Sequence, residues 1–109
     1  VQETDLAGHS QDSKWYMELL KIADKKIAEI IKLLHSEDIL IVMADHGNDP
    51  NIGHNRHTRE NIPLLIWHGE KVGRKVGLRK TMSDVGASAC DFFDVNMPQN
   101  GSSFLDILK

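Results

Sequence analysis

The sequence predicts an α/β fold, a mixed but mainly parallel sheet flanked by helices. Two observations predict it. Residues 39–44, ILIVMA, form a continuous apolar run that stops abruptly at Asp45-His46-Gly47. Aliphatic runs of that length, bounded by turn residues, suit a strand buried on both faces, the kind found in parallel sheets. Ahead of it, Tyr16, Leu19, Leu20, Ala23, Ile27, Ile30, Ile31 and Leu34 recur at spacings of three and four. That is one apolar helical stripe, long enough to cross over between parallel strands.

Composition narrows the function classes. At 109 residues the chain reads as one segment with room for a single core. Thirteen basic against 16 acidic residues leave a net charge of −3, which argues against nucleic acid as the partner. A small phosphorylated substrate remains compatible, because a bound metal supplies positive charge. Cys90 is the single cysteine, so there is no disulfide framework and a reducing, cytoplasmic setting is expected. No apolar run approaches the roughly 20 residues of a membrane span, so no membrane partner is expected. The opening Val1-Gln2-Glu3-Thr4-Asp5 lacks an initiator methionine and reads as a chain entered partway through, hence as a fragment.

Taken in order, residues 1–5 are expected to end a first strand. The amphipathic helix follows, with Ser10 or Asp12 as its cap and Ser36-Glu37-Asp38 as its stop. Strand, helix and the 39–44 strand would make a right-handed βαβ unit. Asp5 and Asp45 would then stand at the carboxyl ends of neighbouring parallel strands, where such sheets bind ligands. Asn48, Asp49, Pro50, Asn51 and Gly53 are turn formers and predict a loop. PLLIW at 63–67 predicts a strand with proline at its first position, running antiparallel to the others if His57 faces the same crevice. The basic, glycine-containing stretch 70–80 predicts a solvated surface loop. Residues 81–93 predict a second helix, capped by Thr81 or Ser83, with Val85, Ala89, Phe92 and Phe93 turned inward and Cys90 as a semi-buried apolar residue. A turn at 97–103 leads to an apolar anchor at 104–108.

The chemistry-bearing groups are Asp5, His9, Asp45, His46, His54 and His57, all at strand-end or loop positions in this reading. A carboxylate beside an imidazole, with Gly47 freeing the backbone to turn, is what a divalent-metal site needs. Mixed oxygen and nitrogen ligation suits Zn²⁺ or Mn²⁺ rather than Ca²⁺. Two such ions about 4 Å apart would polarise a phosphoryl group on both its attacking and leaving oxygens. The bland alternative is that an aspartate at a strand end only forms a turn and an exposed histidine only meets water. His35 and His68 are read in that way.

The segments ADHGNDP at 44–50 and HTRE at 57–60, followed by IPLLIW, resemble the metal-binding segments of phosphopentomutases in the alkaline phosphatase superfamily. DLAGH at 5–9 and GSSFL at 101–105 fall in the matching order. The resemblance implies a partial alkaline-phosphatase-like core with two divalent metals, usually Mn²⁺, and an isomerase of nucleoside metabolism that moves phosphate between C1 and C5 of ribose or deoxyribose. It implies that Asp5, His9 and His57 hold one metal and Asp45 and His46 the other; His54 reads as a ligand, a neighbour of the ligands or a solvated loop residue, and Arg59 as a neighbour of the ligands. The hydroxyl nucleophile and a further aspartate would lie upstream, so none of the residues here would attack phosphorus, and the isolated chain is expected to be inactive. Its partners would be a small sugar phosphate, the remainder of its own chain and, through an open strand edge, a second copy.

Other readings stay open. The D-x-x-G-H spacing at 5–9 and ADHGN are similar to cofactor-independent phosphoglycerate mutases, whereas Arg59-Glu60 after His57-Thr58 is not. A phosphatase on the same scaffold is a further alternative. Outside enzymes, the histidines could belong to a metal-binding or interaction module without turnover.

Overall fold

The computed structural model describes residues 2–69 and 73–108. They fall into two compact units, Val1–Gly69 and Glu70–Lys109.

The first unit opens with helix α1, Gln2–His9. The expected strand at 1–5 is therefore absent: residues 2–5 are helical, and Val1 lies outside the described residues. Glu3 and Asp5 sit in the first turn and His9 in the last, signs that complement the helix dipole. The helix ends in a Schellman motif, with Asp12 N donating to Ala7 O at 3.2 Å and Gln11 N to Gly8 O at 3.0 Å. Gln11 takes the left-handed conformation this requires, φ 54°. Asp12 then caps the next helix, α2 (Ser13–Ile31), accepting from Trp15 N at 2.9 Å. Two helices thus follow one another with hardly a loop between them, and among the described residues no βαβ unit forms.

In α2 the half-buried residues after Ser13 are Tyr16, Leu19, Ala23, Ile27 and Ile31, the predicted period, while Leu20 and Ile30 turn out to be exposed. Strand β1, Ile39–Met43, pairs with strand β2, Leu64–His68, in a two-stranded antiparallel sheet. Ile41 lies opposite Ile66 and Met43 opposite Leu64. The mainly parallel sheet expected from the apolar run is corrected: among the described residues there is no parallel pair, and β1 is half-buried with Met43 exposed. The reason lies in the connection. The chain between the strands folds back on itself through an antiparallel bridge of Gly47 with Thr58, Thr58 N donating to Gly47 O at 2.9 Å, so β2 must return in the opposite direction. The antiparallel sense expected for 63–67 is what the structure has, one residue later.

In the second unit Gly73–Lys80 is irregular and mostly exposed, as expected, and Glu70–Val72 fall outside the described residues. Helix α3 is Ser83–Phe92 and helix α4 is Leu105–Leu108. Met82 is the residue before the first turn of α3 and makes no side-chain cap; Thr81 Oγ accepts from Ser83 N at a long 3.3 Å. The expected inward stripe of α3 is corrected as well. Asp84, Ala87 and Ser88 are buried, Val85 and Cys90 half-buried, and Ala89, Phe92 and Phe93 exposed. Polar groups set that orientation: Asp84 accepts from Arg79 Nε at 2.8 Å and Ser102 N at 2.9 Å, and Ser88 Oγ accepts from Phe104 N at 3.0 Å. They tie α3 to residues 102–104, and in the apolar anchor that follows Phe104, Leu105 and Leu108 are buried while Ile107 is exposed.

Candidate metal centre

Helix periodicity places Asp5 and His9 four residues apart on one face of α1. Their side chains meet, His9 Nε2 to Asp5 Oδ2 at 3.3 Å. The loop after β1 delivers His46, and the Gly47–Thr58 bridge carries His57, one residue before Thr58, to the same place. Thr58 also fixes the turn by accepting from Asp49 N through its hydroxyl at 3.0 Å. The bridge needs a glycine: a Cβ on Gly47 would overlap the Glu60 carboxylate and stand 2.9 Å from Thr58 O.

Four of the six residues singled out by sequence come together. His57 Nε2 lies 3.5 Å from Asp5 Oδ1 and 3.1 Å from His9 Nε2, and His46 Nε2 lies 3.8 Å from Asp5 Oδ1. Asp5, His46 and His57 each offer a ligand atom within 4.8 Å of the others. Asp45 stands at the margin: its side chain is 86% exposed, with Oδ1 3.6 Å from His46 Nε2. His54 turns away and accepts from Arg56 N at 3.2 Å. Arg59 is exposed, and among the described residues no hydrogen bond or ion pair joins it to the cluster. Asp5 reaches the cluster from a helix, not from the strand end assigned to it by sequence, because residues 2–9 are helical.

The ring nitrogens are sorted by their second contacts. A carbonyl oxygen only accepts, so His9 Nδ1–H donates to Asn55 O at 2.8 Å and His46 Nδ1–H donates to Gly47 O at 3.2 Å. Each ring then turns its Nε2 toward Asp5, the arrangement in which metal-binding imidazoles are usually held. Asn48 Nδ2 donates to Asp5 Oδ1 at 2.8 Å and Asp5 O at 3.0 Å. That hydrogen bond holds the Asp5 carboxyl below its ordinary value of 3.8; partial burial opposes the shift, and charge on His9, His57 and His46 adds to it. One carboxylate with three convergent imidazoles, and no thiolate, fits a borderline divalent cation such as Zn²⁺ or Mn²⁺. His9 Nε2 and His57 Nε2, 3.1 Å apart, are within hydrogen-bond distance of each other and close enough to share one cation.

Sequence reasoning missed two residues. Asn48 reads there as a turn former, although a carboxamide two positions after His46 is also a donor in reach of a carboxylate. Gln11 carried no signal. It bridges the end of α1 and the loop, donating to Gly8 O and Asp49 O, both at 2.9 Å, and accepting from Gly53 N at 2.8 Å. The comparison with known protein families finds that residues 1–97 match the model of the Metalloenzyme superfamily.

Proposed function

This chain belongs to the Metalloenzyme superfamily, and from that premise we propose that it is the metal-holding part of a phosphopentomutase, which interconverts ribose or deoxyribose 1-phosphate and 5-phosphate. Membership carries the coarser conclusion, a metal-dependent role of the phosphoryl-transfer or mutase type and binding of divalent metal. The finer reading rests on the HTRE and ADHGNDP segments. One observation carries it: His57 of the first motif and His46 of the second meet over the Asp5 carboxylate.

In this reading Asp5, His9 and His57 hold one divalent cation and His46 and Asp45 a second, with Mn²⁺ the metal by family likeness and Zn²⁺ the alternative. Bound metal supplies Lewis acidity at the phosphoryl oxygens and lowers the cost of a hydroxyl nucleophile. The chain's own residues do the holding. With Nδ1 of His9 and of His46 engaged by carbonyl oxygens, Nε2 is the nitrogen each ring offers a cation. Asp5 supplies negative charge kept ionised by Asn48. Attack at phosphorus falls to a hydroxyl outside this set, and the chain alone is inactive. A small sugar phosphate is the substrate and the cytoplasm the setting; among the described residues no helix is long and apolar enough to cross a membrane.

A second reading, cofactor-independent phosphoglycerate mutase, is favoured by the D-x-x-G-H spacing that sets Asp5 and His9 one helical turn apart. Assay of the whole protein with Mn²⁺ separates the two. Rapid isomerisation of ribose 1-phosphate, with none of 3-phosphoglycerate, is the expected result; the reverse pattern replaces the first reading with the second. Metal binding without turnover of either leaves a binding module.

A further inference from the structure

We propose that Asn48 is a positioning residue of the metal centre, a clamp that fixes the Asp5 carboxylate and that fits only because residue 8 is glycine. The inference rests on the metal-centre reading of the cluster.

Both protons of the Asn48 carboxamide are spent on one residue: Nδ2 donates to the side chain of Asp5 at 2.8 Å and to its main-chain carbonyl at 3.0 Å. Asn48 therefore reads helix and carboxylate together and leaves Asp5 little torsional freedom. Its other end is the telling one. Oδ1 is buried and, among the described residues, has no hydrogen-bond partner. A buried acceptor without a donor is unfavourable, yet the amide cannot relieve it by flipping, since that would set Oδ1 against the oxygens of Asp5. The carboxamide is thus locked in the donating orientation.

Gly8 makes the room. It sits inside α1, where glycine is a poorer helix former than alanine, and it lacks the positive φ that would demand it. A Cβ there would overlap Cγ and Oδ1 of Asn48 and come within 2.7 Å of Nδ2. Asp5, Gly8 and His9 share one face of α1, so DLAGH reads as carboxylate, slot, imidazole. Asn48 fills the slot from the loop that also presents His46. It joins the helix half of the cluster, Asp5 and His9, to the loop half, His46 and His57.

The test is a Co²⁺ titration of the protein, followed by visible absorption of the bound ion, with far-UV circular dichroism of the metal-free variants. Asn48→Ala and Gly8→Ala are expected to weaken Co²⁺ binding by roughly 10- to 100-fold, as for contacts that orient ligands, and to change the absorption envelope at saturation. Asn48→Asp should do at least as much, because it sets a carboxylate against Asp5. In an Asp5→Ala background, Asn48→Ala should cost nothing further, since its effect runs through that carboxylate. Equal losses in both backgrounds, or wild-type affinity and spectrum in Asn48→Ala, would overturn the proposal. If Asn48→Ala does not fold, Asn48→Ser gives the same readout with the slot partly filled. Failure of the unmodified protein to bind Co²⁺ would overturn the metal-centre reading along with the clamp.

Discussion

The rings of His46 and His57 stack, with centroids 3.6 Å apart and planes 21° from parallel. One comes from the turn that ends β1, the other from eleven residues further on, and both Nε2 atoms face Asp5 Oδ1, at 3.8 and 3.5 Å. His9 closes the group, its ring centroid 4.8 Å from that of His57.

His46→Ala and His57→Ala should each reduce Mn²⁺ affinity by on the order of 100-fold or more, beyond the cost of outer contacts. Isothermal calorimetry checks this. Added Mn²⁺ should also raise the melting temperature of the wild type, by the equivalent of about 2.7 kcal/mol at a hundred times the dissociation constant. Asp5→Ala should show a smaller rise at the same Mn²⁺ concentration. Unchanged affinity in both histidine variants would remove the cluster as a metal site.

Gly47→Ala should break the bridge to Thr58, because the added Cβ meets the Thr58 carbonyl and the Glu60 carboxylate. Overpacking of this kind costs about 1–3 kcal/mol. Urea unfolding should show the loss, and Mn²⁺ binding should weaken with it, since His57 is positioned by the bridge. Wild-type values in both measurements would show that the loop accommodates a side chain.

Asp12→Ala removes the cap of α2 while leaving the Schellman turn of α1, which uses the backbone N–H of residue 12. A loss of about 1 kcal/mol is expected, read as a lower urea midpoint with metal affinity per folded molecule unchanged.

Asp84 makes the second unit sensitive to acid. The Ser102 amide and then Arg79 hold its carboxyl below the ordinary 3.8, against the opposing effect of burial. A carboxyl lowered in the folded state contributes its full stability above the ordinary value and loses it as pH falls through the lowered one. Asp84→Asn should therefore be less stable than wild type at neutral pH, and the difference should shrink below about pH 4. A pH-independent difference would mean that the contacts of Asp84 act without its charge.

Each strand of the sheet pairs with the other and, among the described residues, with nothing else. The outer edges of β1 and β2 are open templates for pairing, so the isolated chain should self-associate as concentration rises. A monomeric mass throughout a light-scattering series would count against this.

Much of the local structure was legible from residue order. The Asp12 cap, the helix after it, the two apolar strands, the apolar anchor at the end and the shared neighbourhood of His46 and His57 all follow from spacing and turn chemistry, which act over a few residues. The sense of the sheet was not legible in ILIVMA, because an apolar run says that a strand is to be covered and not which way its neighbour runs. That direction came from a single bridge, Gly47 with Thr58, across eleven positions of chain. Residues 2–9 were too few to show a period, so their helix emerged only with the Schellman turn at Gln11. In α3 the buried face was chosen by Asp84 and Ser88, whose hydrogen bonds to a distant segment outweighed the apolar stripe. Residue order thus points to the groups that could hold a metal, because ligand chemistry belongs to side chains; packing brings Asp5 to them from a helix, with Asn48 bonded to it across Gly8, because that depends on contacts between distant segments.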